Sequence, residues 1–448
     1  MRFPGCFFAM IVTLRAALAN DPAQAEQALQ DIQAGKYAKA ASLLEEATRR
    51  DADNAELWNL LGIADTELGK AREAEQSFDR GLSLTPDSVS LNENSGLLFF
   101  REEKYVAAKK RLARAVQLGS ENPGVRFSLA ASKLRTGEAE AALRELKALE
   151  PSLGNVQQYW EERGRAELAA NPAAAEVSFE RALKIAPESI IALNGAASAA
   201  ERDGLEEKAL SYLIRARTLA PKDVPTLLHF ADLCIRRDLG PDAIKALEQA
   251  RELDPNNSNA LYLLARANIS VQNWQRAFDL FREYSARHPN FAATYYALGW
   301  LDLKLGRVAD ARQQLEHCLA LDPAQADARY ELAQLEFDDS HIEKAHSLLE
   351  TVLRQNPNHA KANMTLGEIM TRSGDLPKAR ELLEKAVKLD PKLAPAHYKL
   401  SVVYARMHES EKAAQERTLA ARLSAQEKQQ SRTQLRLVLP GDQTEKAR

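Results

Sequence analysis

The stretch ELWNLLGIADTELGKAREAEQSFDRGLSLTPDS, residues 56–88, carries Trp58, Gly62, Gly69, Ala74, Phe78 and Pro86 at intervals that one helix alone does not explain. Steps of 34 residues bring the same residue classes back. Ala74 returns as Ala40, Ala108 and Ala142 and, after the loss of one residue, as Ala175, Ala209, Ala243, Ala277, Ala311, Ala345, Ala379 and Ala413. Gly62 has small counterparts at Ala28, Gly96, Ala130, Ala197 and Gly299, Phe78 has large ones at Leu112, Phe179 and Phe281, and Pro86 returns at Pro187, Pro221 and Pro255. Self-similarity at a fixed period of this length marks a repeat architecture.

The spacing within one period gives each class its physical reason. Leu57, Leu61, Ala64 and Leu68 fall at helical intervals, the pattern breaks at Gly69, and Ala74, Phe78 and Leu82 resume it, so each period codes for two antiparallel helices. Gly62 and Ala74 are small because the paired helices approach closely there, and a larger side chain would cost about 1–3 kcal/mol of overpacking. Phe78 fills the seam so formed. Pro86 cannot continue the second helix and turns the chain toward the next period.

The order W-x2-L-G, then A-x3-F, then a final P resembles the tetratricopeptide repeat. The resemblance covers about residues 21–427, as repeats at 21–54, 55–88 and 89–122, a shortened pair over 123–189, and seven in register from 190 to 427, hereafter repeats one to twelve. It implies an all-α, right-handed superhelical solenoid of helix-turn-helix repeats, read here as one domain over 20–427. Pro151, and Arg163 in place of a small residue, make 123–189 irregular and the expected weak joint. Arg417 replaces the apolar seam residue in the last repeat, as a terminal cap requires, and 428–448 reads as a polar tail in which Leu435, Leu437 and Leu439 alternate.

Composition bounds the function. Charged residues at 27% beside 45% hydrophobic ones, with no apolar run of the length a bilayer needs, exclude a membrane-spanning chain. A net charge of −3 without a sustained basic block argues against nucleic acid as partner. Residues 1–19 stand outside the period: Arg2, an apolar run from Phe7 to Leu14 and Ala17-Leu18-Ala19 read as a signal peptide, with Asn20 opening a periplasmic or secreted protein. A retained leader would make the protein cytoplasmic. Cys234 and Cys318, two and a half repeats apart on core-facing positions, read as buried free thiols.

No glycine-rich phosphate loop, paired-histidine zinc motif or nucleophile elbow occurs, and His341 and His346, five apart, do not share a helix face. The expectation is a protein that is not an enzyme and uses no cofactor or metal. The resemblance implies that the first helix of each repeat lines a concave groove, its fifth, ninth and thirteenth residues pointing inward. Those positions read Tyr262, Tyr296, Tyr330 and Tyr398, then Arg266 and Trp300, then Lys304 and a row of arginines that includes Arg101, Arg135, Arg202, Arg372 and Arg406. Such stripes of aromatic and basic residues suit an extended protein or peptide segment, the rings giving rigid contact area and the guanidinium groups donating to carboxylates or carbonyls. Packing between repeats is the competing account of the same rows. The sixth positions contain one asparagine, Asn94, so neither the carboxylate clamp of cochaperones nor an asparagine ladder is present. The reading is a protein-interaction scaffold of the bacterial cell envelope, with a glycan-binding or secretion-complex subunit and a cytosolic adaptor as the alternatives.

Overall fold

The computed structural model describes residues 22–438, so the leader at 1–19 and the end of the tail lie outside it. Among the described residues there are 24 helices and no strand, two helices to each repeat, and the fold is the expected all-α solenoid of helix-turn-helix repeats. In several repeats the first helix starts where a side chain caps it. Asn54 accepts from the N–H groups of Glu56 and Leu57, Ser88 from Leu91, Ser189 from Ala192 and Asn257 from Ala260.

Most first helices end in the same way. In repeat two the N–H of Lys70 donates to the carbonyl of Asp65 at 2.9 Å and that of Gly69 to Thr66 at 3.1 Å, which closes the helix and throws the fifteenth residue of the repeat into the left-handed region. Glycine holds that place at Gly69 (φ 76°) and Gly306 (φ 75°), but Glu103, Asp238, Gln272, Ser340 and His408 occupy it in other repeats with φ of 57–64°. Such residues are strained there, whereas glycine adopts the same conformation freely and loses only part of the gain through its looser unfolded chain. Gln272→Gly is therefore expected to stabilise its repeat by about 0.5–1 kcal/mol, read as a shift of the urea midpoint at unchanged slope.

The seam between paired helices is as tight as the spacing predicts. A Cβ built on Gly62 would lie 2.5 Å from the Phe78 ring, and one on Gly299 would lie 2.8 Å from Leu315. The missing residue of the shortened pair falls in one turn. The first helix of repeat five, Gln157–Glu167, runs into the second, Pro172–Ile185, without a left-handed residue, and the N–H of Asn171 donates to the Glu167 carbonyl at 2.8 Å. Gly164, not Arg163, is the seam residue, since a Cβ built on it would lie 2.8 Å from the Phe179 ring, while Arg163 stands beside the seam and pairs with Glu150 and Glu167.

The core here is continuous. Tyr159 is fully buried and donates to the Leu146 carbonyl at 3.0 Å, Trp160 donates to the Gly154 carbonyl at 2.7 Å, and the guanidinium of Arg181 stands 4.4 Å from the Trp160 ring. One apolar cluster runs from Phe127 to Ala216. The weak joint expected at 123–189 has no basis in this packing, because the deletion is absorbed by a turn and leaves the helix faces in register. Contacts instead divide the chain into two units at Leu233 and Cys234, within the helix Val224–Arg236. Cys234 and Cys318 are both fully buried, and burial pushes the Cys318 thiol up to about 11. The last helix, Ser410–Val438, carries an exposed Arg417 at the seam position and runs past residue 427 through the Leu435–Leu437 alternation. No described helix is long and apolar enough to cross a membrane.

Candidate functional site

Side chains on successive first helices meet directly, so within each unit these helices form a wall. Thr365 donates to Gln334 Oε1 at 3.3 Å, Lys399 pairs with Glu368, and Asn94 donates to Asn59 Oδ1 at 3.0 Å. These are contacts between the sixth residue of one repeat and the fifth or ninth of the repeat before it. The thirteenth-position arginines also bind along the wall. Arg101 pairs with Glu67 at 3.1 Å, Arg202 donates to the Leu168 carbonyl at 3.4 Å and Arg406 to the Thr371 carbonyl at 2.9 Å, each reaching the C-terminal end of the preceding first helix. Arg135 reaches the other way, making two bonds to Glu162 of the following repeat at 2.9 and 2.8 Å. This arginine row fastens repeat to repeat.

The aromatic row divides by repeat. In repeat eight, Tyr262 is half-buried in a cluster with Phe281, Tyr284 and Phe291, ring centres 5.2–6.1 Å apart. Arg266, one turn on, is half-buried. In repeat ten, Tyr330 is only 7% exposed, its ring lies 5.0 Å from His359, and burial pushes its hydroxyl up to about 12. These two rings pack between elements. Tyr398 in repeat twelve is 58% exposed.

Repeat nine brings three of the expected residues together on the helix Ala292–Lys304. Tyr296 is half-buried against the cluster around Leu315, Cys318 and Leu332, and burial pushes its hydroxyl up to about 12. Trp300, also half-buried, meets Trp274 edge to face at 5.5 Å. The exposed ammonium of Lys304 stands 5.0 Å from the centre of the Trp300 ring. Trp274, at the start of a second helix, and Glu331, at a sixth position, were not among the expected site residues. Their signal in the sequence is register alone: once repeats eight, nine and ten are stacked, Trp274 meets Trp300 and the Glu331 charge acts on Tyr296 and Lys304.

Family models describe part of the chain. The tetratricopeptide repeat model matches residues 31–91, 302–369 and 336–400, and a model of subunit 3 of the anaphase-promoting complex, or cyclosome, matches 236–318. No curated protein matches the chain in sequence. Among solved structures it is similar to the Cut9–Hcn1 hetero-tetramer of the APC/C, at 15% identity over 91% of this chain and 88% of that one, with a TM-score of 0.45. It is similar also to yeast Tom70, at 18% identity over 91% and 96% with a TM-score of 0.43. A third is YrrB, described as a TPR protein with an unusual peptide-binding site, at 19% identity over 42% of this chain and 97% of that one, with a TM-score of 0.38.

Proposed function

We propose that this chain, a tetratricopeptide repeat protein, is a protein-interaction scaffold that holds an extended segment of a partner protein along the first helices of repeats nine to twelve. The observation that carries the reading is the division of the aromatic row. Tyr330 is buried, whereas Tyr398, at the same position of its own repeat, is 58% exposed, and Trp300 keeps part of its ring open beside Lys304. A ring that contributes little to packing and stays in water costs stability, and large amphipathic rings are the common anchors of protein interfaces. The setting proposed for this binding is the cell envelope, on the strength of the leader alone.

A photo-cross-linking residue placed at Tyr398 tests the surface, with the same residue at Ile214, an exposed position on a second helix, as control. A partner segment cross-linked from 398 and not from 214 is expected; cross-links from 214 alone would move the binding surface to the second helices. With the partner in hand, Trp300→Ala is expected to weaken binding by about 2 kcal/mol or more, as central aromatic anchors do, at nearly unchanged melting temperature. Tyr330→Ala should act in the opposite sense, lowering the melting temperature because its ring is packed.

A further inference from the structure

In three repeats the polar residue at the sixth position finds its partner at the fifth or ninth position of the repeat before it. Asn94 bonds to Asn59, Thr365 to Gln334 and Lys399 to Glu368. The same register in repeat ten places Glu331 against positions five and nine of repeat nine, which are Tyr296 and Trp300. No hydrogen bond or ion pair engages the Glu331 carboxylate among the described residues. Burial holds this carboxyl above the usual carboxylate range, with Lys361 and Lys304 pulling the other way.

A half-buried carboxylate without a hydrogen bond or ion pair, whose charge acts on Tyr296 and which the repeat register sets beside Trp300, is a place that favours a cation. It gains more from an incoming positive charge than a solvated carboxylate does, since part of its hydration is already lost. The indole face adds its own attraction for a cation. The chain already shows that chemistry: the Lys304 ammonium stands over Trp300, and the edge of Trp274 holds the indole in place. Lys304 and Lys361 are both exposed, and their ammonium groups give up little by staying in water.

We propose that Trp300 and Glu331 form the seat for a lysine or arginine side chain of the bound protein segment, with Lys304 as the internal ammonium that the incoming cation displaces. The inference rests on the binding surface proposed above and names the chemistry of its occupant, a basic segment. An acidic segment would bring its charge against Glu331.

Fluorescence anisotropy on the full chain decides it, with a labelled peptide of alanine and serine carrying three spaced lysines, and matched peptides with norleucine or glutamate in their place. The lysine peptide is expected to bind about tenfold more tightly than the norleucine one, a typical value for one cation-π contact and one charge-assisted contact, and the glutamate peptide most weakly. Glu331→Gln should remove the lysine preference while leaving the norleucine peptide and the melting temperature unchanged. Lys304→Gln should strengthen the lysine peptide alone. Equal or tighter binding of the glutamate peptide, a preference that survives Glu331→Gln, or no binding of any of the three overturns the inference. The cross-link at Tyr398 does not depend on the charge of the partner, so a wall that cross-links yet lacks the lysine preference keeps its binding role and loses this seat. Failure of both removes both.

Discussion

Replacing Phe179 by alanine is expected to destabilise the surrounding repeats by about 3–5 kcal/mol, the range for deleting a buried ring. Phe179 is 1% exposed, and its ring lies 2.8 Å from the Cβ that Gly164 lacks and 2.4 Å from the one that Gly195 lacks. One side chain therefore fills the space between the first helices of two repeats, Gln157–Glu167 and Ile190–Arg202, and both glycines leave a hole when it goes. In a repeat array the loss falls on the repeat and its neighbours, so unfolding need not be a single step and a global melting point understates it. Hydrogen exchange is the apt measurement: protection should fall across residues 157–202 by two to four orders of magnitude while repeats ten to twelve change little. Phe179→Leu should cost less than half as much, and a cost of under about 1 kcal/mol for the alanine variant would mean that the seam is not the organising contact.

The second large effect is set by pH. Glu336 is 2% exposed and receives Arg312, His341 Nδ1 at 2.8 Å and Lys344 Nζ at 2.8 Å, while Arg312 also reaches Asp339 at 2.6 Å. Burial alone would raise the carboxyl, yet Lys344, His341 and Arg312 outweigh it and hold it at about 2, below the ordinary 4.5. A carboxyl whose folded value is depressed contributes stability above its unfolded value and loses it as pH falls through the folded one. The contribution should thus be complete above pH 4.5 and fade toward pH 2, by about 3 kcal/mol in all. Other carboxylates titrate in the same window, so the measurement is the difference between the protein and Glu336→Gln. The variant should be less stable at pH 7, and the two unfolding curves should converge near pH 2. A gap that stays constant from pH 7 to 2 would show that the carboxylate charge is not what this cluster uses.

How far the fold and the site were legible differs by residue. Gly62 opposite Phe78, and Gly299 opposite Leu315, could be paired from the period alone, because a small and a large residue recurring sixteen apart have one way to meet in a helix pair. Arg163 misled in the irregular pair, since sequence alone does not say in which turn a residue is missing. The arginine row read as a binding stripe, yet Arg101, Arg202 and Arg406 reach the preceding repeat, a contact visible only once the repeats are stacked.

Sequence by itself determined the period, the helix pair, the seam and the solenoid class, because each repeat is a local unit that touches only its neighbours and carries its own punctuation. Tertiary structure alone decided which members of one sequence row are open. Tyr330 and Tyr398 hold the same position in their repeats, but His359 lies against the first ring while the second is left 58% exposed. The exposure of a side chain on the wall is set by what the adjoining elements put beside it, and that neighbour lies up to a full repeat away in the chain.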